Sequence, residues 1–187
     1  MEGQLTVNQS ETLLKDKHRL SIPGKRICLV GIAAQHAPLI MAWRNDPAIR
    51  SQYFYRGQFT AASQAAWQAS YDRDPDDISF IITLKSGRAI GMVAIYNIEW
   101  SAHRAEFGRL LIGDPAARRQ GYAREASELA INFAASLGIA ELHLCVRAAN
   151  FSALKLYRAA GFIETATAHR TASDGAEELA TSMVRRP

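Results

Sequence analysis

The residues most suited to binding chemistry lie between a predicted strand and a predicted helix. This segment reads Arg118-Arg119-Gln120-Gly121-Tyr122-Ala123-Arg124. The first N–H groups of a helix lack internal acceptors, and the helix dipole adds partial positive charge there. Because Gly121 and Ala123 have little side-chain bulk, a phosphate can approach the backbone, and the arginines add charge. The segment therefore predicts an anion site suited to a diphosphate.

Two common phosphate-binding patterns are absent from this segment. It contains neither GxxxxGK[ST] nor GxGxxG, which excludes a P-loop and a dinucleotide fingerprint. Taken alone, the residues fit equally well a tight strand-to-helix turn whose arginines are simply exposed to solvent. The surrounding elements and motifs must decide between these interpretations.

Hydrophobic periodicity predicts the elements that position this segment. Strands are expected at 26–32, 78–84, 89–98, 104–112, 141–147, 162–167 and 179–184. Helices are expected at 34–45, 61–71, 121–137 and 151–160, with Thr60 and Asn150 as N-caps and Gly138 and Gly161 as C-terminal glycines. An antiparallel meander is thus followed by strand–helix–strand–helix–strand–strand. This order predicts an α+β fold with one parallel crossover.

Length and composition indicate one globular domain. The chain has 187 residues, of which 48% are hydrophobic and 21% charged, and its net charge is +4. We expect residues 1–24 to form an N-terminal extension, either mobile or adding one edge strand, and residues 25–187 to form the domain. No apolar run approaches the length of a membrane span, and the N-terminus lacks an apolar signal region, so we expect a cytoplasmic protein without membrane contact.

Metal, disulfide and nucleic-acid functions find little support in the sequence. Cys28 and Cys145 are far apart without a CxxC motif, and the five histidines show no HxxxH or HExxH spacing. We therefore expect no metal cofactor. The mild net charge and the absence of alternating basic and aromatic residues argue against a nucleic-acid partner.

Two linked motifs resemble the GNAT superfamily of N-acetyltransferases. The segment Arg118-Arg-Gln-Gly-Tyr-Ala123 is similar to its acyl-CoA signature [Q/R]-x-x-G-x-[G/A], and residues 150–162 are similar to N-x-x-A-x-x-x-Y-x-x-x-G-F. The resemblance covers residues 26–185. It implies a three-layer α/β/α sandwich whose mixed, mostly antiparallel sheet has six to seven strands with one splayed parallel pair, flanked by about four helices.

The resemblance also implies roles for individual residues in binding acetyl-CoA. Backbone groups of Leu110, Leu111 and Ile112 would pair with the pantetheine amides, and backbone N–H groups from Arg119 to Arg124 would hold the diphosphate. Asn150 would contact the pantetheine arm. The complete set of cofactor-binding residues is then Leu110, Leu111, Ile112, Arg118, Arg119, Gln120, Gly121, Tyr122, Ala123, Arg124, Asn150, Ser152 and Tyr157.

The implied reaction is direct attack of a neutral primary amine on the acetyl thioester in a ternary complex. An α-amine with a pKa of about 8 loses its proton at pH 7 for about 1–2 kcal/mol, whereas a lysine amine needs about 5 kcal/mol. An α-amine therefore does not require a strong base. Tyr157 is expected to donate a hydrogen bond to the leaving sulfur, unless it only fills the core.

Glu106 is the best candidate for a general base, with a structural carboxylate paired to Arg104 or Arg109 as the alternative. As a base, it would need its pKa raised by burial. Trp43, Arg44 and Asn45 are candidates for the acceptor pocket, or else for packing and capping at a helix end. The segment Ala42-Trp-Arg-Asn-Asp-Pro47 is similar to the branch that acetylates protein N-terminal amines and nucleotide-linked amino sugars.

The sequence thus predicts an N-acetyltransferase that uses acetyl-CoA and acts on a primary amine. The acceptor is expected to be a protein N-terminal amine or a nucleotide-linked amino sugar, with small amines such as polyamines, antibiotics or amino acids as less favoured alternatives. One alternative is a CoA-responsive binding module without catalysis, and another is an RNA-associated protein that uses its mild basicity. Both a monomer and a homodimer are compatible with the sequence.

Overall fold

A single eight-stranded sheet organises the computed structural model, which describes residues 15–186. The strands are β1 (Ser21–Pro23), β2 (Ile27–Gly31), β3 (Ile78–Leu84), β4 (Ala89–Glu99), β5 (Arg104–Ile112), β6 (Glu141–Arg147), β7 (Ile163–Thr171) and β8 (Glu177–Arg185). Their spatial order is β1-β2-β3-β4-β5-β6-β8-β7, with β5 and β6 parallel and the other neighbours antiparallel. This confirms the predicted mixed sheet, which has eight strands rather than six or seven.

Five α-helices flank the sheet in the described part of the chain, against the four predicted. They are α1 (Ala37–Asn45), α2 (Pro47–Arg50), α3 (Ala61–Tyr71), α4 (Tyr122–Ser136) and α5 (Phe151–Ala159). The additional helix is α2, because Asp46 ends α1 and then caps the next turn through a 2.9 Å bond from the Ala48 N–H to its carboxylate. Thr60 caps α3 as predicted, accepting a 3.1 Å bond from the Ser63 N–H.

Helices cover both faces of the sheet, which confirms the α/β/α sandwich. Successive side chains of a strand point to opposite faces. Accordingly, Phe80 packs with residues of α4 and α5, whereas the next residue, Ile81, packs with residues of α1 and α3. At the edge of the sheet, all nine residues of β7 are exposed.

The eighth strand comes from residues that precede the predicted domain boundary. β1 pairs antiparallel with β2, placing Ser21 opposite Val30. Just before it, the buried Lys17 ammonium donates to the main-chain oxygens of Tyr71, of Asp74 at 2.7 Å and of Asp77 at 3.4 Å. The division at residue 24 stays a prediction, and residues 1–14 of the predicted extension lie outside the described residues.

Candidate active site

The parallel strands β5 and β6 separate after a short ladder. They pair over residues 104–106 and 141–143, after which β6 continues against β8 alone. The separation leaves a cavity of about 340 Å³ beside the second half of β5. Its lining includes Arg44, Tyr53, Tyr96, Glu106, Arg109, Leu110, Arg147, Asn150, Tyr157 and Arg170. Several sequence-predicted site residues therefore share one wall, although they are up to 113 positions apart in the chain.

The turn that leads into α4 presents an unbroken set of backbone donors. Within residues 15–186, none of the N–H groups of residues 119–124 donates to a protein acceptor. Arg119 and Gly121 adopt left-handed conformations, with φ of +60° and +80°. Left-handed backbone beside ordinary backbone forms concave donor sets that bind anions. Since a helix N-terminus follows directly, the turn fits a diphosphate.

The arginines of this turn have different roles. Arg118 Nη2 lies 2.9 Å from an Asp46 carboxylate oxygen, and its Nε donates to the Ile112 carbonyl at 3.1 Å. Arg118 therefore ties the α1–α2 corner to the end of β5. Arg124 pairs with a glutamate one helical turn later at 2.9 Å. Arg119 is exposed and forms no ion pair among the residues described, so its guanidinium is available to a phosphate.

Arg26, which directly precedes β2, stabilises the same turn. Its guanidinium donates to the Gln120 carbonyl at 2.8 Å, pairs with Glu125 at 2.9 Å and lies 4.7 Å from the Tyr122 ring centre. The Ala123 carbonyl accepts a 2.8 Å bond from a serine hydroxyl within α4. The turn is thus held through its carbonyls and side chains, which leaves its N–H groups for a ligand.

A bulge in β5 sets the backbone that faces the cavity. The β4–β5 register shifts at this point, and Arg109 has φ of +51°. Leu110 has no partner in the β4 ladder, and its carbonyl accepts a 2.9 Å bond from the Tyr53 hydroxyl. Leu111 and Ile112 pair with β4 again. Of the three residues predicted to pair with pantetheine, Leu110 is therefore the one that lines the cavity.

Tyr157 combines a buried ring with a hydroxyl that has no hydrogen-bond partner among residues 15–186. Its ring centre lies 6.0 Å from that of Phe107 and 5.9 Å from that of Phe162. Burial raises the pKa of Tyr157, and the neighbouring tyrosines add to the effect. The phenol is therefore protonated at neutral pH. Its hydroxyl forms no hydrogen bond within the described residues, so it can donate to a ligand atom in the cavity.

Asn150 has a structural role at the start of α5. Its side-chain oxygen accepts a 3.1 Å bond from the Ala153 N–H and a 3.0 Å bond from the Ser152 hydroxyl. This is the N-cap that the sequence predicts. The residue also lines the cavity, and its amide nitrogen has no acceptor in the described part of the chain. Asn150 can therefore cap α5 and donate to a ligand at the same time.

Glu106 lies in the cavity wall and is held by an amide. Asn97 Nδ2 donates to its carboxylate at 2.9 Å. Neither arginine considered as a structural partner pairs with it, because Arg104 pairs with Glu99 at 2.6 Å and Arg109 pairs with Asp77. The carboxylate keeps acceptor capacity for a proton on a bound amine.

The three residues predicted for the acceptor pocket separate in the structure. Trp43 is buried against the end of β5, where a Cβ on Gly113 would come within 2.1 Å of its ring. Asn45 bonds both backbone groups of Phe59 at 2.8 Å, fixing the loop before α3. Arg44 alone of the three lines the cavity.

Three further arginines in the cavity wall were not identified from the sequence. Arg109 pairs with Asp77 at 2.5 Å, and Arg147 pairs with Glu178 at 2.7 Å. Arg170 lies over the Phe54 ring, 4.7 Å from its centre. Of the three, Arg147 has a signal in the sequence, because it ends β6 shortly before Asn150, a predicted site residue. With Arg44 they form a basic wall around a single acidic residue, Glu106.

Other functional features are missing from the part of the chain that the structure covers. No helix within residues 15–186 combines the length and apolarity needed to cross a bilayer. In the same range, no three histidine, cysteine, aspartate or glutamate side chains come together as a metal site.

Comparison with known proteins agrees with this geometry. The acetyltransferase (GNAT) domain family matches residues 26–163. The alpha/beta-tubulin-N-acetyltransferase 9 of Drosophila melanogaster is 25% identical over 159 residues, which cover 77% of this chain and 78% of that protein.

Two solved structures share the fold. The spermidine N-acetyltransferase of Vibrio cholerae, in complex with CoA and spermine, aligns with a TM-score of 0.79 at 20% identity, covering 86% of this chain and 95% of that one. A probable GNAT acetyltransferase of Chromobacterium violaceum aligns with a TM-score of 0.76 at 19% identity, covering 89% of this chain and 85% of that one. GNAT acetyltransferases take their acetyl group from acetyl-CoA. The family match spans most of the chain and contains both the donor-rich turn and the cavity wall from Arg44 to Tyr157, so the protein belongs to the GNAT acetyltransferase family.

Proposed function

We propose that this protein acetylates the primary amine of a protein N-terminus or of a nucleotide-linked amino sugar. The observation that carries the proposal is the course of β5, which lines the cavity from Glu106 to Leu110 and then leads to the donor-rich turn at residues 119–124. A diphosphate at the turn and a reacting thioester beside Tyr157 would lie along the same strand. The tubulin N-acetyltransferase relative, whose name specifies a protein substrate, supports a protein amine.

Several residues would hold acetyl-CoA, which supplies an acetyl group already activated as a thioester. The backbone N–H groups of residues 119–124 bind the diphosphate, and the exposed Arg119 adds a positive charge. The Leu110 backbone pairs with the pantetheine, and the free amide nitrogen of Asn150 donates to it. Fixing the thioester in this way provides the larger part of catalysis, because it removes the entropy cost of bringing two reactants together.

Glu106 accepts the proton of the attacking amine. Asn97 holds the carboxylate from one side, which leaves its other lone pairs for the amine or a bridging water. For an α-amine the task is modest, since deprotonation at pH 7 requires about 1–2 kcal/mol. Tyr157 then donates its hydrogen bond to the sulfur as negative charge develops there.

The test is release of free CoA thiol with a panel of amines. The panel contains a peptide with a free α-amine, the same peptide with a blocked N-terminus, and a nucleoside-diphosphate amino sugar. It also contains Nα-acetyllysine amide, whose only free amine is on the side chain. We expect release with the free peptide or the amino sugar and none with the blocked peptide. Binding of acetyl-CoA without thiol release for any amine would contradict the proposal and favour a non-catalytic module.

A further inference from the structure

A second chamber lies beside the active-site cavity, next to Arg44. It has a volume of about 330 Å³ and shares Arg44, Tyr55 and Arg109 with the cavity described above. Its remaining walls are Ile40, Phe59, Gln64, Trp67 and Met92. None of these residues is acidic, so both charged side chains in the chamber are cations.

Arg44 carries a charge that nothing in the described chain neutralises. Its guanidinium lies 4.4 Å from the Tyr53 ring centre and 4.7 Å from that of Phe59. It forms no ion pair within residues 15–186. Burial lowers the pKa of Arg44, and the nearby Arg109 charge lowers it further. A half-buried cation without a counter-ion is unfavourable, so an anion placed beside it gains more than it would in water.

The other arginines of the wall show what distinguishes Arg44. Arg109 and Arg147 each have a carboxylate at hydrogen-bond distance. Arg170 is exposed, so water solvates its charge. Arg44 lines both cavities, yet it has neither full solvation nor a carboxylate partner among the residues that the structure describes.

Gln64 adds a second incomplete polar group to this chamber. It is 3% exposed, and its side-chain nitrogen is buried without a hydrogen-bond partner among the described residues. Buried donors are nearly always paired in folded proteins. Both the Arg44 guanidinium and the Gln64 amide nitrogen are therefore donors without an acceptor among the described residues.

We infer that the chamber next to Arg44 binds an anionic group, a carboxylate or a phosphate, carried by the acceptor at a distance from its reacting amine. The inference rests on the proposed acetyl transfer and names the class of acceptor. Two kinds of acceptor carry such an anion: a peptide with an acidic side chain near its N-terminus, and a nucleotide-linked sugar with its diphosphate. A polyamine has the opposite charge, and the Arg44 guanidinium, unpaired in the described chain, repels it.

Matched acceptor pairs test the inference by kcat/KM for thiol release. The pairs are the peptides Ala-Glu-Ala-Ala and Ala-Gln-Ala-Ala, each with an amidated C-terminus, and UDP-glucosamine with glucosamine. Spermidine serves as the cationic acceptor. We expect at least one anionic member to exceed its neutral partner by about 10- to 100-fold, the range of a hydrogen bond to a charged group. The pair that shows the preference identifies whether the anion is a carboxylate or a phosphate. Spermidine should be the poorest acceptor.

Variants connect the preference to Arg44. Arg44→Met should bring the ratio within the preferred pair towards one, and Arg44→Lys should retain part of it. Arg73→Met is the matched control, because Arg73 is exposed in the turn after α3 and lines neither cavity. Its ratio should stay at the wild-type value. Acetyl-CoA affinity and melting temperature, measured for every variant, report whether the fold is intact.

The outcomes separate this inference from the proposed function. Thiol release with no anionic preference, or a preference that survives Arg44→Met, overturns the inference and leaves acetyl transfer standing. Thiol release with spermidine above all other acceptors also overturns it. Absence of release with every acceptor contradicts the proposed function, and the inference falls with it.

Discussion

The Tyr53 hydroxyl donates a 2.9 Å hydrogen bond to the main-chain oxygen of Leu110, across 57 positions of the sequence. Burial raises the pKa of Tyr53 to about 12, so the hydroxyl stays a donor throughout the physiological range. The bond occupies the backbone acceptor that we propose for the pantetheine. We expect the Tyr53 contact to compete with the cofactor for this oxygen atom.

Replacing Tyr53 with phenylalanine should strengthen acetyl-CoA binding. The variant has no internal hydrogen bond to break, and such a bond contributes about 0.5–1.5 kcal/mol. We expect a dissociation constant lower by about two- to tenfold, measured by isothermal titration calorimetry. Weaker binding would show that the Tyr53 hydroxyl helps to hold the cofactor rather than competing with it.

The Tyr157→Phe substitution should slow turnover with little effect on binding. The hydroxyl has no partner to lose in the described part of the chain, but a hydrogen bond to the developing thiolate contributes about 1.5–3 kcal/mol. We expect kcat to fall about 10- to 100-fold with an unchanged melting temperature. An unaltered kcat in a thiol-release assay would assign Tyr157 to the core alone.

The Glu106→Gln substitution tests the general base through its pH dependence. At pH 7 the variant should lose at least about tenfold in kcat/KM. The deficit should shrink as the pH rises towards the amine pKa of about 8, since the acceptor then loses its proton without help. A pH profile parallel to that of the wild type would exclude Glu106 as the base.

The Gly121→Asp substitution should abolish acetyl-CoA binding by placing a carboxylate at the diphosphate site. Gly87→Asp is the matched control, because Gly87 has a φ of +85°, close to the +80° of Gly121, and lies in the β3–β4 turn. Both variants carry a similar backbone strain, of about 1–2 kcal/mol. We expect thermal stabilisation by acetyl-CoA to vanish for Gly121→Asp and to persist for Gly87→Asp. Equal stabilisation of both would place the diphosphate elsewhere.

Asp77 and Arg109 form a pair that should matter for stability. The Asp77 side chain is 7% exposed and lies 2.5 Å from the Arg109 guanidinium. Asp77→Asn leaves a partly buried cation without its partner, which costs about 3 kcal/mol. Glu128→Gln, in an exposed pair with Arg124, should change the free energy of unfolding by less than about 1 kcal/mol. Urea denaturation of both variants checks this difference.

Local signals were sufficient to predict most of the fold. The Thr60 and Asn150 caps and the glycines at 138 and 161 form where the sequence places them, because capping depends on neighbouring backbone groups. The β1 edge strand and α2 are less predictable, since three or four residues carry no clear periodicity.

The composition of the site was harder to predict. Trp43, Arg44 and Asn45 are consecutive on one helix, so they point in three directions, and only tertiary packing decides which reaches the cavity. The wall position of Arg109 depends on the β5 bulge and on Asp77, which lies 32 positions away. Neither relationship has a local sequence signature.

Lys17 lies upstream of the region that the GNAT family covers, yet its ammonium reaches carbonyls of the loop between α3 and β3, up to 60 positions further along the chain. Asp77 belongs to that loop and holds Arg109 in the cavity wall. The cavity wall is therefore supported by a residue outside the recognised domain. A protein that began at residue 26, where the family match starts, would lose this support for the wall, even though every residue that lines the cavity had been kept.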